Sequence, residues 1–138
     1  MQRLVGAILV CVIMLPACAS NTARPRPAAG AGRVLELREG LASYYADSFQ
    51  GKMTASGVRF DTKAMVAAHP TYPFGTRVRV TSLATKRSVQ VVVIDRGPAR
   101  GPRAQGVIID LSRNAAARLG FIQAGLTKVH VEVLSWGK

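Results

Sequence analysis

Between Ser88 and Ser112 the chain reads SVQVVVIDRGPARGPRAQGVIIDLS, and this stretch carries its most suggestive chemistry. Two apolar runs, Val89–Ile94 and Val107–Ile109, each end on an aspartate, Asp95 and Asp110. Strands that deliver carboxylates to one rim, with a basic loop beside them, look like an active-site cleft. The loop between them holds Gly97, Pro98, Gly101, Pro102 and Gly106, which cannot continue either strand, and Arg96, Arg100 and Arg103, which make its rim basic. Asp95 has a plainer reading as a turn-initiating aspartate before Arg-Gly-Pro, and Asp110 as the cap of a following helix.

The elements that must position these groups are short and mostly extended. Val91–Ile94 is apolar on consecutive residues, which places it in a fully covered sheet or barrel. Thr76–Leu83 alternates polar and apolar, and Gly125–Leu134 does so again with Val129, Val131 and Val133 on one side. Leu35, Leu37, Leu41 and the pair Tyr44-Tyr45 suggest one or two strands, followed by a loop around Gly51. Asp61 is placed to cap a short helix over Thr62–Ala68, which His69-Pro70 would end. A second helix is expected over Arg113–Leu119, capped by Ser112 or Asp110 and stopped by Gly120. The expected class is mainly β, about six short strands with one or two short helices.

The first residues are of another kind. Arg3 followed by the apolar run Leu4–Leu15 is too short to span a bilayer and reads as an export signal. Leu15-Pro16-Ala17-Cys18 resembles the bacterial lipoprotein site, in which the cysteine is acylated and becomes the mature N-terminus. Residues 1–17 are therefore expected to be removed, Cys18 to carry the lipid, and residues 18–33, rich in Pro, Ala, Gly and Arg, to tether a domain over 34–138. Ala19 is not the aspartate that retains enteric lipoproteins in the inner membrane, which implies an outer-membrane anchor facing the periplasm. The other cysteine, Cys11, lies in the leader, so no disulfide is expected. Net charge is +12, and removing the leader with its one arginine lowers it to +11. Such a domain attracts polyanions, and in an exported protein these are wall glycan and anionic lipid rather than nucleic acid.

Seven short motifs occur in order: GLASYY from Gly40, TASG from Thr54, RFD from Arg59, AAH from Ala67, PFGT from Pro73, DRGP from Asp95 and IDLS from Ile109. Together they resemble the rare lipoprotein A family over about residues 39–135. The resemblance implies a six-stranded double-psi β-barrel, the fold shared with expansins. It also implies a lytic transglycosylase that cuts peptidoglycan between N-acetylmuramic acid and N-acetylglucosamine, leaving a 1,6-anhydro end. In the family the aspartate of DRGP and the histidine of AAH are the functional pair, which map onto Asp95 and His69. Many members carry a C-terminal module for peptide-stripped strands; this sequence reaches Lys138 just after the last expected strand, and no such module is expected.

A general acid must hold a proton near neutral pH, which an ordinary aspartate of pKa about 3.9 does not. Burial and a second carboxylate favour the proton, and neighbouring arginines oppose it. Around the pair, Asp110 is a candidate for catalysis or sugar binding. Tyr44 and Tyr45 are candidates for stacking on sugar rings, with one of them as readily core. Thr54 and Ser56 are candidates for sugar hydroxyls, and Arg96 and Arg103 for lactyl or peptide carboxylates. His130, out of step with Val129 and Val131, is expected to face solvent. Two isolated histidines and no usable cysteine make no metal site, and no cofactor is expected. The expected partner is the glycan strand, with the membrane reached through Cys18; proteins of the division machinery are not identified. The rival from another class is an expansin-like barrel that grips wall glycan without cutting it. A structural lipoprotein that acts by charge alone is a third.

Overall fold

The computed structural model describes residues 32–138. The expected leader, the acylated Cys18 and nearly all of the tether lie outside the described residues.

Six strands close a barrel in the order β1-β5-β2-β4-β3-β6. They are β1 (Glu36–Tyr44), β2 (Val66–Ala68), β3 (Arg77–Ser82), β4 (Ser88–Asp95), β5 (Val107–Leu111) and β6 (Thr127–Ser135). β1–β5 and β2–β4 are parallel, and the other four pairings are antiparallel. Closure removes every free edge, so a small domain needs no other device to block edge pairing. The core is aliphatic: Val78, Val91, Val93, Ile109, Leu111 and Val131 are all buried. Val129, Val131 and Val133 face inward as their alternation demands, and His130 points outward to Glu39 (3.0 Å).

β4 is less uniformly covered than its apolar run suggests. Val89, Val91 and Val93 are buried and Gln90 is exposed, the pattern of one-sided burial. Only the end next to Asp95 is covered on both faces, where the 54–57 turn lies over it and Ser56 N–H donates to Ile94 O (3.2 Å).

The Arg113–Leu119 helix forms as expected. Its N-cap is Ser112, whose Oγ accepts from Ala115 N–H, which leaves Asp110 without a capping role. Gly120 ends it in the left-handed region (φ 84°). We label it α2, because a shorter helix, α1 (Arg100–Ala104), precedes it in the loop after Asp95.

The helix expected over Thr62–Ala68 does not form. Those residues make a turn and then β2, and Asp61 Oδ1 accepts from Lys63 N–H (2.9 Å) as a turn rather than a helix cap. Seven residues gain little from a helix on their own. In the barrel the same residues are bonded along both edges, with Val92 N–H on Met65 O and Ser112 N–H on Val66 O. Tertiary pairing overrides local preference.

β1 crosses β5 closely at Gly40. A Cβ there would lie 2.7–2.9 Å from three atoms of the Ile108 side chain. Gly40→Ala is expected to destabilise the barrel by about 1–3 kcal/mol through overpacking. Urea denaturation monitored through Trp136 fluorescence measures this.

Candidate active site

β2 is the strand that brings the two aspartates together. Its last residue, Ala68, is the register partner of Asp95 on β4 and of Asp110 on β5. Both carboxylates therefore lie at one rim of the barrel, one on each side of a residue with almost no side chain.

Asp95 is held by three donors. Oδ1 accepts from Ala55 N–H and from Arg96 N–H, each at 2.8 Å, and Oδ2 accepts from Tyr45 Oη at 2.6 Å. Tyr45 is in turn fixed between aromatic neighbours, Phe60 at 4.2 Å and Phe49 at 5.2 Å between ring centroids. Burial and the adjacent Asp95 carboxylate raise the Tyr45 hydroxyl far above the ordinary phenol range, so it serves only as a donor.

Asp110 is half-buried, and its carboxyl accepts a hydrogen bond from Ser43 Oγ on β1. Burial raises its pKa, the Ser43 bond opposes that, and the Asp95 charge adds to it. The site thus pairs a carboxyl group held by three donors with one that burial pushes towards its neutral form. Gly97 sits against the second: a Cβ there would be 3.0 Å from Asp110 Oδ2 and 3.3 Å from Ala68 Cβ.

His69 belongs to a neighbouring cluster. Its backbone N–H donates to Asp95 O (3.1 Å), while its ring makes its contacts with the 71–72 segment. Nδ1 accepts from Thr71 N–H (3.2 Å) and Tyr72 N–H (3.0 Å), so the ring proton resides on Nε2. The ring stacks on Tyr72 with centroids 3.5 Å apart, and Tyr72 Oη donates to Glu36 (2.7 Å). Burial, reinforced by the Arg38 guanidinium, lowers the imidazole pKa to about 4. At neutral pH His69 is an uncharged Nε2–H donor.

The remaining candidates divide. Tyr44 packs edge-on against Phe121 and donates to Ile122 O (2.9 Å), which commits it to the body of the barrel. Thr54 is buried; its hydroxyl donates to Val58 O and meets Ser56 Oγ at 3.0 Å, so both hydroxyls tie the turn that carries Ala55 to Asp95. Arg96 turns its guanidinium onto Tyr72 O (2.8 Å) and His69 O (3.3 Å) and lies over the Phe74 ring at 3.9 Å. It fixes the 69–74 segment. Arg103, on α1, has no side-chain partner among the described residues and lines an open groove of about 310 Å³ with Pro70, Arg96, Gly97 and Pro98.

Sequence reasoning did not single out Ser43, Ala55, Tyr72 or Glu36. Ser43 was within reach, two residues before Tyr45 on an alternating strand and hence on its face. The Ala55 contact is a backbone group and leaves no signal in side-chain types. Among the described residues no three metal-ligating side chains converge.

A family model described as lytic transglycolase matches residues 38–131. The "Probable endolytic peptidoglycan transglycosylase RlpA" of Synechocystis sp. is 40% identical over 134 residues, covering 97% of this chain and 40% of that protein. The protein of the same name in Nostoc sp. is 50% identical over 98 residues, 70% of this chain and 25% of that one. The "Endolytic peptidoglycan transglycosylase RlpA" of Campylobacter jejuni is 41% identical over 102 residues, 74% of this chain and 36% of its own length. The chain thus spans between a quarter and two fifths of these relatives. Among solved structures, the Streptomyces papain inhibitor superposes with a TM-score of 0.58 at 24% identity, over 75% of this chain and 99% of its own. The expansin of Clavibacter michiganensis gives 0.57 at 23% identity, over 75% and 52%. At these identities the likeness is one of fold.

Proposed function

We propose that this chain, which belongs to the lytic transglycolase family, cleaves the bond between N-acetylmuramic acid and N-acetylglucosamine in peptidoglycan and leaves a 1,6-anhydromuramic end. The observation that carries this is the carboxyl pair Asp95 and Asp110 set at one rim on either side of Ala68. The relatives' names supply the substrate class.

In this reading Asp95 is the acid–base group. Its carboxyl gives a proton to the glycosidic oxygen as that bond breaks and the N-acetylglucosamine leaves. The resulting carboxylate takes the proton of the muramic 6-hydroxyl as O6 bonds to the anomeric carbon, which returns Asp95 to its starting form. No water enters, so no second carboxylate is needed to activate one. Asp110, held towards its neutral form by burial, acts beside it as a hydrogen-bond donor to the sugar. Tyr45 orients Asp95, and His69 contacts substrate through Nε2–H. Export, acylation of Cys18 and an outer-membrane anchor facing the periplasm are part of the same proposal and rest on the leader sequence.

The test is digestion of purified sacculi and of peptide-stripped strands with the purified chain, followed by mass spectrometry of the soluble products. Anhydromuramic ends from either substrate support the reading. Binding without any anhydro product overturns it and leaves a wall-gripping barrel.

A further inference from the structure

We propose that the groove between Arg38, His69 and Arg103 is a subsite for an α-methyl carboxylate carried by the glycan. The proposal deepens the reading above and rests on a glycan substrate. Two sources share this chemistry: the lactyl group of a peptide-stripped muramic acid and the terminal alanine of a stem peptide.

Four observations lead there. The groove has a volume of about 320 Å³ and adjoins the one below Gly97, sharing Pro70 and Arg103 with it. Gly97, which sits against Asp110, lines the first groove, so the two grooves together begin beside the carboxyl pair. The second groove's charged lining is cationic, Arg38 and Arg103, with His69 and Thr71 as its neutral polar side chains. Arg38 engages Glu36 through Nε and lies beside the Tyr72 hydroxyl, and Arg103 has no side-chain partner among the described residues. A planar guanidinium fork matches a carboxylate in two parallel bonds.

His69 supplies the third donor. Its side chain is almost wholly buried, yet among the described residues Nε2 has no acceptor, and no buried polar atom lacks one. Nε2–H is thus the part of the ring that reaches the open groove. Both bonds to Nδ1 lock this tautomer, so the donor stays a donor, and the low pKa keeps it neutral down to about pH 4. Val107, Ile108 and Pro70 line the same groove and give it an apolar part suited to a methyl group beside the carboxylate. Arg96, the more obvious basic candidate, is bound to carbonyls and takes no part.

The test measures binding of the Asp95→Asn chain, expected to turn over about 10³-fold more slowly, to three preparations. These are peptide-stripped strands, peptide-bearing strands, and stripped strands whose carboxyls are converted to neutral methylamides. At least one carboxylate form is expected to bind about 10-fold or more tightly than the neutralised strands, and which form does so identifies the source. Arg38→Gln and Arg103→Gln, both at exposed positions, are expected to lose the same factor on the carboxylate form and nothing on the neutralised one. Binding between pH 5.5 and 8 is expected to be flat, whereas a titrating imidazolium would weaken it above pH 6.5. Equal binding to charged and neutral strands, or arginine variants that weaken both alike, overturns the subsite. Absence of binding to all three overturns it as well. Anhydro product from the wild-type chain on the same strands is read separately, so the enzyme reading can stand while the subsite falls.

Discussion

Asp95→Asn is expected to lower release of anhydromuramic ends by about 10³-fold while leaving a folded barrel. The magnitude is that of removing a positioned acid–base group. Folding is preserved because the asparagine Oδ1 keeps the acceptor that Ala55 N–H and Arg96 N–H require. Only the Tyr45 hydroxyl loses its carboxylate, at a cost of about 1 kcal/mol and a drop of ~5 °C in Tm. Tyr45→Phe serves as the comparison. It keeps the ring between Phe49 and Phe60 and removes one of three donors to Asp95, so about a 10-fold loss is expected. Product release by Asp95→Asn within 10-fold of wild type, with circular dichroism unchanged, would mean that the proton is carried by another group. Asp110, already pushed towards its protonated form, is the one the geometry offers.

The strands that carry chemistry were legible because each has a period. Alternation in β3 and β6 gave their inward faces, and the apolar runs of β4 and β5 pointed directly at Asp95 and Asp110. β2 was not legible: three residues, Val66–Ala68, have no period, and their conformation is dictated by β4 and β5 on either side. That miss matters most, since β2 is what joins the two aspartates into one site. Arg96 is engaged elsewhere for a related reason. Residue type makes Arg96 a ligand for anions, but the carbonyls of His69 and Tyr72 that claim it converge only in the folded chain. Arg38, hidden in a strand that reads as packing, faces the groove instead. The tyrosine pair was resolved by the same physics: neighbours on a strand face opposite ways, so Tyr45 reaches Asp95 and Tyr44 is sent to Phe121.

His69 makes stability depend on pH in a window where few other groups titrate. Its folded pKa is about 4 against an ordinary 6.5, so between those values the unfolded chain binds the proton more tightly. The stability this group contributes is complete above pH 6.5 and is lost as pH falls towards 4. The full shift corresponds to about 3 kcal/mol, and with the ring's solvent-facing edge taken into account about 1–2 kcal/mol is expected between pH 7 and 4.5. Glu36, held below the carboxylate range by Arg38 and Tyr72, loses its contribution in the same direction but at lower pH. Asp110 acts oppositely, because its folded pKa is raised and acid favours the folded form. Comparison with His69→Ala separates the terms. That variant leaves Thr71 N–H and Tyr72 N–H without their acceptor and removes the ring stacked on Tyr72, so it is expected to be about 2–4 kcal/mol less stable at pH 7. Its deficit should shrink by 1–2 kcal/mol at pH 4.5, where the wild-type ring has become a liability. Urea denaturation at the two pH values measures both quantities. A deficit that stays constant across them would show that the folded imidazole titrates as it does in the unfolded chain, and His69 would then reach the groove as a cation on mild acidification.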